Sequence, residues 1–287
     1  MIIAKLIGGL GNQMFQYALA RRLALLWNCE LKLDPTDLLS TRHSTPRPYG
    51  LNVFNIQADL AGTTEIQAVK NNYWLAKLGL AHKPSHIQEQ AVGTYDANLI
   101  KITPPLYLDG YWQSAQYFQD IELIIKNDFT LKAEFLPTDS ALLALIKSTN
   151  SVALHIRRGD YVTNPDFAAI YNCCSLDYYR QAVGTIAAQT TAPHFFIFSD
   201  DIDWVKHNLQ LDYPAEFVSE RDYPDYQALI LMSLCQHQII ANSSFSWWGA
   251  WLNSSANKLV IAPSKWFNSS SLSSQDIIPA TWLKITL

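Results

Sequence analysis

Charge is scarce in this sequence. Charged residues make up 16% of its 287 residues and the net charge is −4, so no general attraction to nucleic acid is built in and any anion site has to be local. Cysteine is sparse too. Cys29, Cys173, Cys174 and Cys235 are spaced for neither a zinc site nor a disulfide framework, so small buried or half-buried thiols in a reducing compartment are expected. No apolar run approaches the ~18 uninterrupted residues of a membrane-spanning helix. The opening MIIAKLIGGLGNQ lacks the basic leader and long apolar segment of a secretory signal. A cytoplasmic protein without an integral membrane segment is expected. Nucleotide fingerprints are incomplete as well. GGLGN, residues 8–12, supplies Gly9 and Gly11 of a G-x-G-x-x-G pattern but has Met14 where the third glycine belongs, and no Gly-Lys pair precedes a Ser or Thr anywhere. NAD and ATP binding by those loops is therefore disfavoured. Internal repeats and low-complexity segments are also missing.

What is present is apolar. Hydrophobic residues make up 49% of the chain, enough for a substantial core. Residues 2–7 read as a buried strand, the glycines at 8, 9 and 11 break it, and residues 12–27 carry apolar positions at helical spacing. A second strand is expected at 31–33, a helix at 64–80, a strand at 106–108 and a helix from about Ser114. From residue 140 strand and helix alternate. Helices are expected at 140–148 (capped by Thr138 or Asp139), 177–188, 225–235 and 246–252, and strands at 152–156, 194–198, 238–241 and 259–262. That alternation predicts an α/β protein with parallel sheets covered on both faces. Two Rossmann-like halves are expected, 1–135 and 136–270, with a cleft between them as the default ligand site and a tail at 271–287 that packs back on the first half.

Open parallel sheets bind ligands at the carboxyl ends of their strands, and three motifs fall there. HIRRGDY, residues 155–161, follows a buried strand. Arginine offers a planar fork for phosphate oxygens, Gly159 lets a ligand approach the backbone, and Asp160 can brace an arginine or take a proton. If the strand continued, Arg157 and Arg158 would point to opposite sides. A buried Arg–Asp pair capping the sheet edge would explain the same letters without a ligand. FSDD, residues 198–201, ends a strand in Asp200 and Asp201, which suit a guanine amino edge or a ribose hydroxyl. Asp201-Ile202-Asp203 also matches a metal-binding D-x-D pattern, but two carboxylates are a thin ligand set. Asn242, Ser243, Ser244, Phe245 and Ser246 open a helix after a strand, where free N–H groups make an anion site or the serines act as plain caps. Asn12 and Gln13 stand at another helix N-terminus. Aromatics are 12% of the chain, with nine tryptophans. Those in GYWQ and SFSWWGAW sit among polar residues, as in carbohydrate sites, although core packing accounts for most tryptophans.

GGLGNQMFQYA (8–18), DGYWQ (109–113), HIRRGDY (155–161), FSDD (198–201) and CQHQIIANSSFSWWGAWL (235–252), with APSKW ending at residue 266, together resemble the bacterial α-1,2-fucosyltransferases of glycosyltransferase family 11. The resemblance implies a GT-B-like fold of two Rossmann-like α/β domains, the first facing the acceptor and the second holding the donor. It implies inverting transfer from GDP-L-fucose to the 2-hydroxyl of a terminal β-galactose, with no metal or other cofactor and no nucleic-acid partner. A peripheral position near a lipid-linked glycan fits that acceptor class. Carried over residue by residue, Arg157 meets the diphosphate with Arg158 beside it, and His155 lies at the guanine region. Asp201, rather than Asp200, holds the guanine. Ser243, Ser244, Phe245 and Ser246 line the phosphates. Asn12 reaches the fucose side, and Gly11, Gln13, Trp112 and Gln113 join as substrate contacts. Asp160 is a candidate base, with the leaving phosphate as the alternative. A fucosyltransferase of another linkage and a non-catalytic glycan-binding module are the competing readings. An epimerase or reductase would need the complete dinucleotide loop.

Overall fold

The structure, a computed structural model, describes residues 1–39, 46–78, 85–137, 140–171, 173–219, 221–269 and 272–286, with the backbone alone at 72–77 and 140. The chain divides into two compact units: Met1–Lys132 with Gln275–Ile277, and Ala133–Ser274 with Ile278–Leu287. The expected caps at 138 and 139, and the end of the helix expected at 64–80, lie outside the described residues.

Unit 1 runs β1 (Ile2–Lys5), α1 (Leu10–Leu26), β2 (Leu31–Asp34), β3 (Asp59–Leu60), α2 (Thr63–Lys77), β4 (His86–Gln88), β5 (Leu106–Asp109) and α3 (Glu122–Asp128). Its five strands are parallel in the order β3-β2-β1-β5-β4. β1 stops two residues earlier than its apolar run suggests. The backbone N–H of Ile7 donates to Gln16 Oε1 at 3.1 Å and its carbonyl accepts from Gln16 Nε2 at 3.2 Å, so a side chain of α1 captures the peptide that would have extended the strand. α1 begins at Leu10, which places Gly11 inside its first turn and buried rather than in the loop. Gly8, at φ +77°, makes the turn in a left-handed conformation that suits glycine. No α-helix starts at Ser114. Two short 3₁₀ turns, Ala115–Tyr117 and Gln119–Ile121, come first, and Ser114 Oγ accepts from Gln116 N–H at 3.3 Å.

Unit 2 runs α4 (Ser140–Ser148), β6 (Asn150–Ile156), α5 (Gly159–Thr163), α6 (Pro165–Ile170), α7 (Leu176–Ala187), β7 (Pro193–Ser199), α8 (Ile202–Asn208), β8 (Ala215–Ser219), α9 (Asp225–Leu234), β9 (His237–Ile239), α10 (Ser244–Leu252), β10 (Val260–Pro263) and β11 (Leu283–Ile285). The six strands are parallel in the order β11-β10-β9-β6-β7-β8. Strand alternation sorts the core. Val152, Leu154, Ile156, Phe195 and Ile197 face Tyr178, Tyr179, Ala182 and Ile186 of α7, while Ala153, Phe196 and Phe198 face Ile146, Leu231 and Met232 of α4 and α9. Both faces of β6 and β7 are thus dry, which is why apolar residues run together at their centres, Val152–Leu154 and Phe195–Phe198, rather than alternating with polar ones. Each fully buried side chain of this size contributes about 1.5–3 kcal/mol.

Of the tail, residues 275–277 join unit 1, where Asp276 accepts from Tyr95 N–H at 2.8 Å and Gln116 Nε2 at 2.9 Å. The rest adds β11 to the second sheet. The four cysteines are free thiols, Cys235 buried and the others half-buried. Among the described residues no helix is long and apolar enough to cross a membrane.

Candidate active site

The strand order of unit 2 places β9, β6 and β7 side by side, so HIRRGDY, FSDD and NSSFS meet on one carboxyl edge. β6 ends at Ile156, and α5 begins three residues later. The two arginines therefore part by turning the corner, not by strand alternation. Arg157 Nη2 donates to Asp160 Oδ1 at 2.6 Å, and its Nη1 lies 2.9 Å from Asp200 Oδ2. Burial works against its charge, but Asp200 and Asp160 outweigh that and raise its pKa, so Arg157 is a cation held between two carboxylates. Of the two roles open to Asp160, bracing an arginine or taking a proton, the geometry shows a brace, and the arginine is Arg157. Arg158 goes to Asp201, Nε to Oδ2 at 3.1 Å, and its guanidinium carbon stands 3.5 Å over the Trp204 ring.

Asp200 is occupied on both sides, since its Oδ1 also accepts from the Arg158 backbone N–H at 2.9 Å. Gly159 makes that close approach possible: a Cβ there would run into the Asp200 carboxylate. Asp201 caps α8 through Trp204 N–H at 3.4 Å. Its side chain is 40% exposed against 11% for Asp200, so Asp201 is the more accessible carboxylate. His155 is 4% exposed, and burial, helped by Arg157, pushes its pKa from 6.5 down to about 3. It is neutral, lies 5.6 Å from the Phe245 ring, and its buried Nδ1 has no hydrogen-bond partner among the described residues.

Neither Ser244 nor Ser246 caps α10. The cap position is Ser243, without a side-chain hydrogen bond, while Ser246 Oγ turns inward to the Ser243 carbonyl at 3.3 Å. The N-terminus of this nine-residue helix thus lacks a side-chain cap, and its N–H groups suit an anion. Asn242 is structural. Its Nδ2 donates to the Trp266 carbonyl at 2.9 Å, joining the NSSFS and APSKW motifs, and its carbonyl accepts from the Tyr161 hydroxyl at 3.1 Å. Trp247 and Trp248 are fully buried and packed with Trp251 and Trp282, so the SFSWWGAW tryptophans are core.

The carboxyl edge of unit 1 carries the other candidates. Asn12 Oδ1 accepts from Gln113 Nε2 at 2.8 Å, joining two motifs 101 residues apart. A Cβ at Gly8 would come within 2.5 Å of Asn12 Nδ2, so glycine makes room for this carboxamide. Gln13 is fully buried and spent on the backbone. Its Nε2 donates to the carbonyls of Gly8 at 3.1 Å and Pro48 at 2.9 Å, and its Oε1 accepts from Gly50 N–H at 2.9 Å. Trp112 is 3% exposed and packs edge-on against Tyr117. Gly11, Gln13 and Trp112, expected as substrate contacts, are buried, and the Trp112 Nε1 has no hydrogen-bond partner among the described residues. Sequence reasoning missed Trp204, although its place three residues after Asp201, on the first turn of α8, is a readable cue.

The family model "Glycosyl transferase family 11" matches residues 1–286. This chain belongs to glycosyltransferase family 11. It is 32% identical over 300 residues to an alpha-1,2-colitosyltransferase of Escherichia coli, covering 99% of both chains. It is 34% identical over 283 residues to the O-antigen biosynthesis glycosyltransferase WbnK of Escherichia coli, covering 91% of this chain and 93% of that one. Among solved structures, a variant of Arabidopsis thaliana FUT1 in complex with GDP matches with a TM-score of 0.51 at 11% identity, over 91% of this chain and 70% of that chain. The fold is GT-B-like, with two Rossmann-like α/β units. In this family 11 glycosyltransferase the D-x-D carboxylates are engaged by arginines, Asp201 by Arg158 and Asp203 by Arg221 at 3.2 Å. Among the described residues, no group of three or more His, Cys, Asp or Glu is placed to hold a metal ion.

Proposed function

We propose that this glycosyltransferase moves L-fucose from GDP-β-L-fucose to the 2-hydroxyl of a terminal β-galactose, with inversion, to form an α-1,2 linkage. The observation that carries the reading is Arg157, a cation fixed between Asp160 and Asp200 at the end of β6. It shares that sheet edge with the uncapped N-terminus of α10. As the glycosidic bond breaks, negative charge grows on the diphosphate. A pre-set donor aimed at it is worth about 3–4 kcal/mol of transition-state stabilisation. In this reading unit 2 is the donor domain and unit 1 the acceptor domain. Asp201, the more exposed of the two carboxylates, is assigned to the guanine, and neutral His155 offers its unpartnered Nδ1 to the nucleotide. Ser244 and Phe245 flank the phosphates. Asn12 and Gln113 face the transferred sugar. Because the Asp160 carboxylate is spent on Arg157, we assign it an orienting role, and the acceptor hydroxyl gives its proton to the departing diphosphate.

A second reading has a specific basis. Similarity to a colitosyltransferase spans the whole chain, and colitose is L-fucose without its 3-hydroxyl. GDP-colitose is therefore the alternative donor. Similarity to an O-antigen glycosyltransferase makes a polysaccharide precursor a natural acceptor class, with the enzyme cytoplasmic and peripheral to a lipid-linked glycan.

The test is incubation with GDP-fucose or GDP-colitose and lactose, with and without EDTA, followed by NMR of the product linkage. An α-1,2-fucosyl product formed in EDTA supports donor, linkage and metal independence together. Transfer of colitose alone moves the donor to the second reading. GDP binding by calorimetry without transfer to lactose redirects the acceptor. The absence of both transfer and GDP binding overturns the enzyme reading in favour of a glycan-binding module.

A further inference from the structure

Glu89 belongs to no motif, yet it organises one. It is the first residue after β4, and its N–H donates to the Asp109 carbonyl at 2.9 Å, continuing the β4–β5 ladder. Its side chain then reaches across to the loop that follows β5. Oε2 accepts from Tyr111 N–H at 2.6 Å and Oε1 from Trp112 N–H at 3.1 Å. The two oxygens of one side chain thus accept from two successive peptide N–H groups. The loop is shaped to allow it. Gly110 has no room for a Cβ, which would run into Glu89 Cβ and come within 2.9 Å of both Glu89 Oε2 and the Trp112 ring. Trp112 takes a left-handed backbone at φ +57°, uncommon for a bulky side chain and maintained only where surroundings hold it. The next residue is Gln113, 6% exposed, whose Nε2 donates to Asn12 Oδ1.

We infer that Glu89 is a positioning residue for the transfer reaction: it holds the bend at 110–113 so that Gln113 keeps the Asn12 carboxamide in its working orientation. The inference rests on the assignment of Asn12 and Gln113 to the sugar side of the reaction. Glu89 acts through that pair and touches neither donor nor acceptor. It is also a specific choice of side chain. Gln at this position keeps the size but replaces one acceptor oxygen with an NH₂ group, which opposes a backbone N–H. The bend then loses one of its two anchors.

The experiment compares steady-state kinetics of wild type, E89Q, Asn12→Ala and the double variant, with GDP affinity by calorimetry and melting temperature as controls. Displacing a reacting group's support by an ångström costs about 100-fold, so E89Q is expected to lower kcat by roughly that factor. GDP affinity should stay within about twofold, since its proposed site lies on the other unit. In the Asn12→Ala background E89Q should cost less than about threefold more, because residues acting as one unit are not additive. A merely structural glutamate would give additive losses and would not confine them to kcat. If E89Q does not fold, Gln113→Ala cuts the same relay without touching the carboxylate and should lower kcat equally. Additive losses, or wild-type kcat in E89Q or Gln113→Ala, overturn the inference while wild-type transfer keeps the proposed function standing. Absence of transfer by the wild-type enzyme overturns that function, and this inference with it.

Discussion

The two sheet edges solve different problems with the same topology. Each is the carboxyl edge of a parallel sheet, and each has a small-residue loop running into a helix. The edge of unit 2 is built from full charges. Arg157 and Arg158 are held by Asp160, Asp200 and Asp201. The edge of unit 1 has ion pairs too, Lys5 with Asp37 and Asp109, but its loops are held largely by carboxamides, with Gln13, Gln16, Asn12 and Gln113 bonded to backbone or to each other. Carboxamides can satisfy both donors and acceptors of a loop without adding a field. In unit 2 both arginines stand where a charged leaving group is proposed to be held. Neutral bonds hold loops where shape alone is needed. Glu89 is the acidic side chain that holds the bend at 110–113, which is why its substitution is informative.

The largest way to break this contrast is Arg157→Ala. Two half-buried carboxylates lose their cation and the proposed clamp loses its charge, so kcat should fall about 100-fold or more. Activity within about threefold of wild type in a steady-state assay would remove Arg157 from the clamp. A smaller effect is expected from Gly159→Ala. The added methyl must push Asp200 aside and loosen both of its arginine bonds, and losing one charge-assisted hydrogen bond costs about 1.5–3 kcal/mol. GDP affinity should drop about tenfold by calorimetry, and unchanged affinity would show that Asp200 can give way without cost. The mirror experiment in unit 1 is Gln13→Ala. It leaves the carbonyls of Gly8 and Pro48 and the N–H of Gly50 without that partner, costing about 1–3 kcal/mol of stability. GDP binding should be unaffected, and a weakened GDP affinity would place Gln13 at the ligand instead.

The smallest effect is in the pH dependence of stability, where the two units should tilt oppositely. Burial pushes the Glu89 carboxyl from 4.5 up to about 7, against the pull of the Tyr111 and Trp112 N–H groups. The neighbouring Tyr111 and Tyr117 phenols are themselves pushed up, first by burial and then by Glu89, and stay neutral. Folding therefore takes up a proton at Glu89, and unit 1 loses stability as pH rises from 4.5 through about 7. His155 does the reverse. Its folded pKa of about 3 lies below 6.5, so folding resists protonation and unit 2 loses stability as pH falls below 6.5. Thermal unfolding of wild type and E89Q across pH 5–8 checks this: E89Q should lose the decline towards pH 7, and an unchanged profile would contradict the assignment.

Legibility followed burial. VALHI at 152–156 could be read as a strand because both faces are dry, and the run is apolar but for His155. The end of β1 could not be read, because Ile7 is withheld from the strand by Gln16, nine residues away on a helix. GYWQ and SFSWWGAW show how local context misleads. Their tryptophans have polar neighbours in sequence but buried neighbours in space. Glu89 follows the three-residue strand β4, and the described chain from there to β5 holds only the 3₁₀ turn Leu99–Lys101, so there is no periodicity to read and nothing about a lone glutamate marks it as a clamp.

The sequence by itself determined the α/β class, the strands whose ends carry the candidate residues, and the motifs that match glycosyltransferase family 11. These depend on the local periodicity of apolar residues and on short runs of specific side chains, both written along the chain. Only the tertiary structure decided the partners: Arg157 with Asp160 and Asp200, Arg158 with Asp201 and Trp204, Gln113 with Asn12, and Glu89 with the bend at 110–113. All but the Arg157–Asp160 pair join segments from about 20 to 100 residues apart. Such contacts depend on strand order and register, which no local pattern encodes.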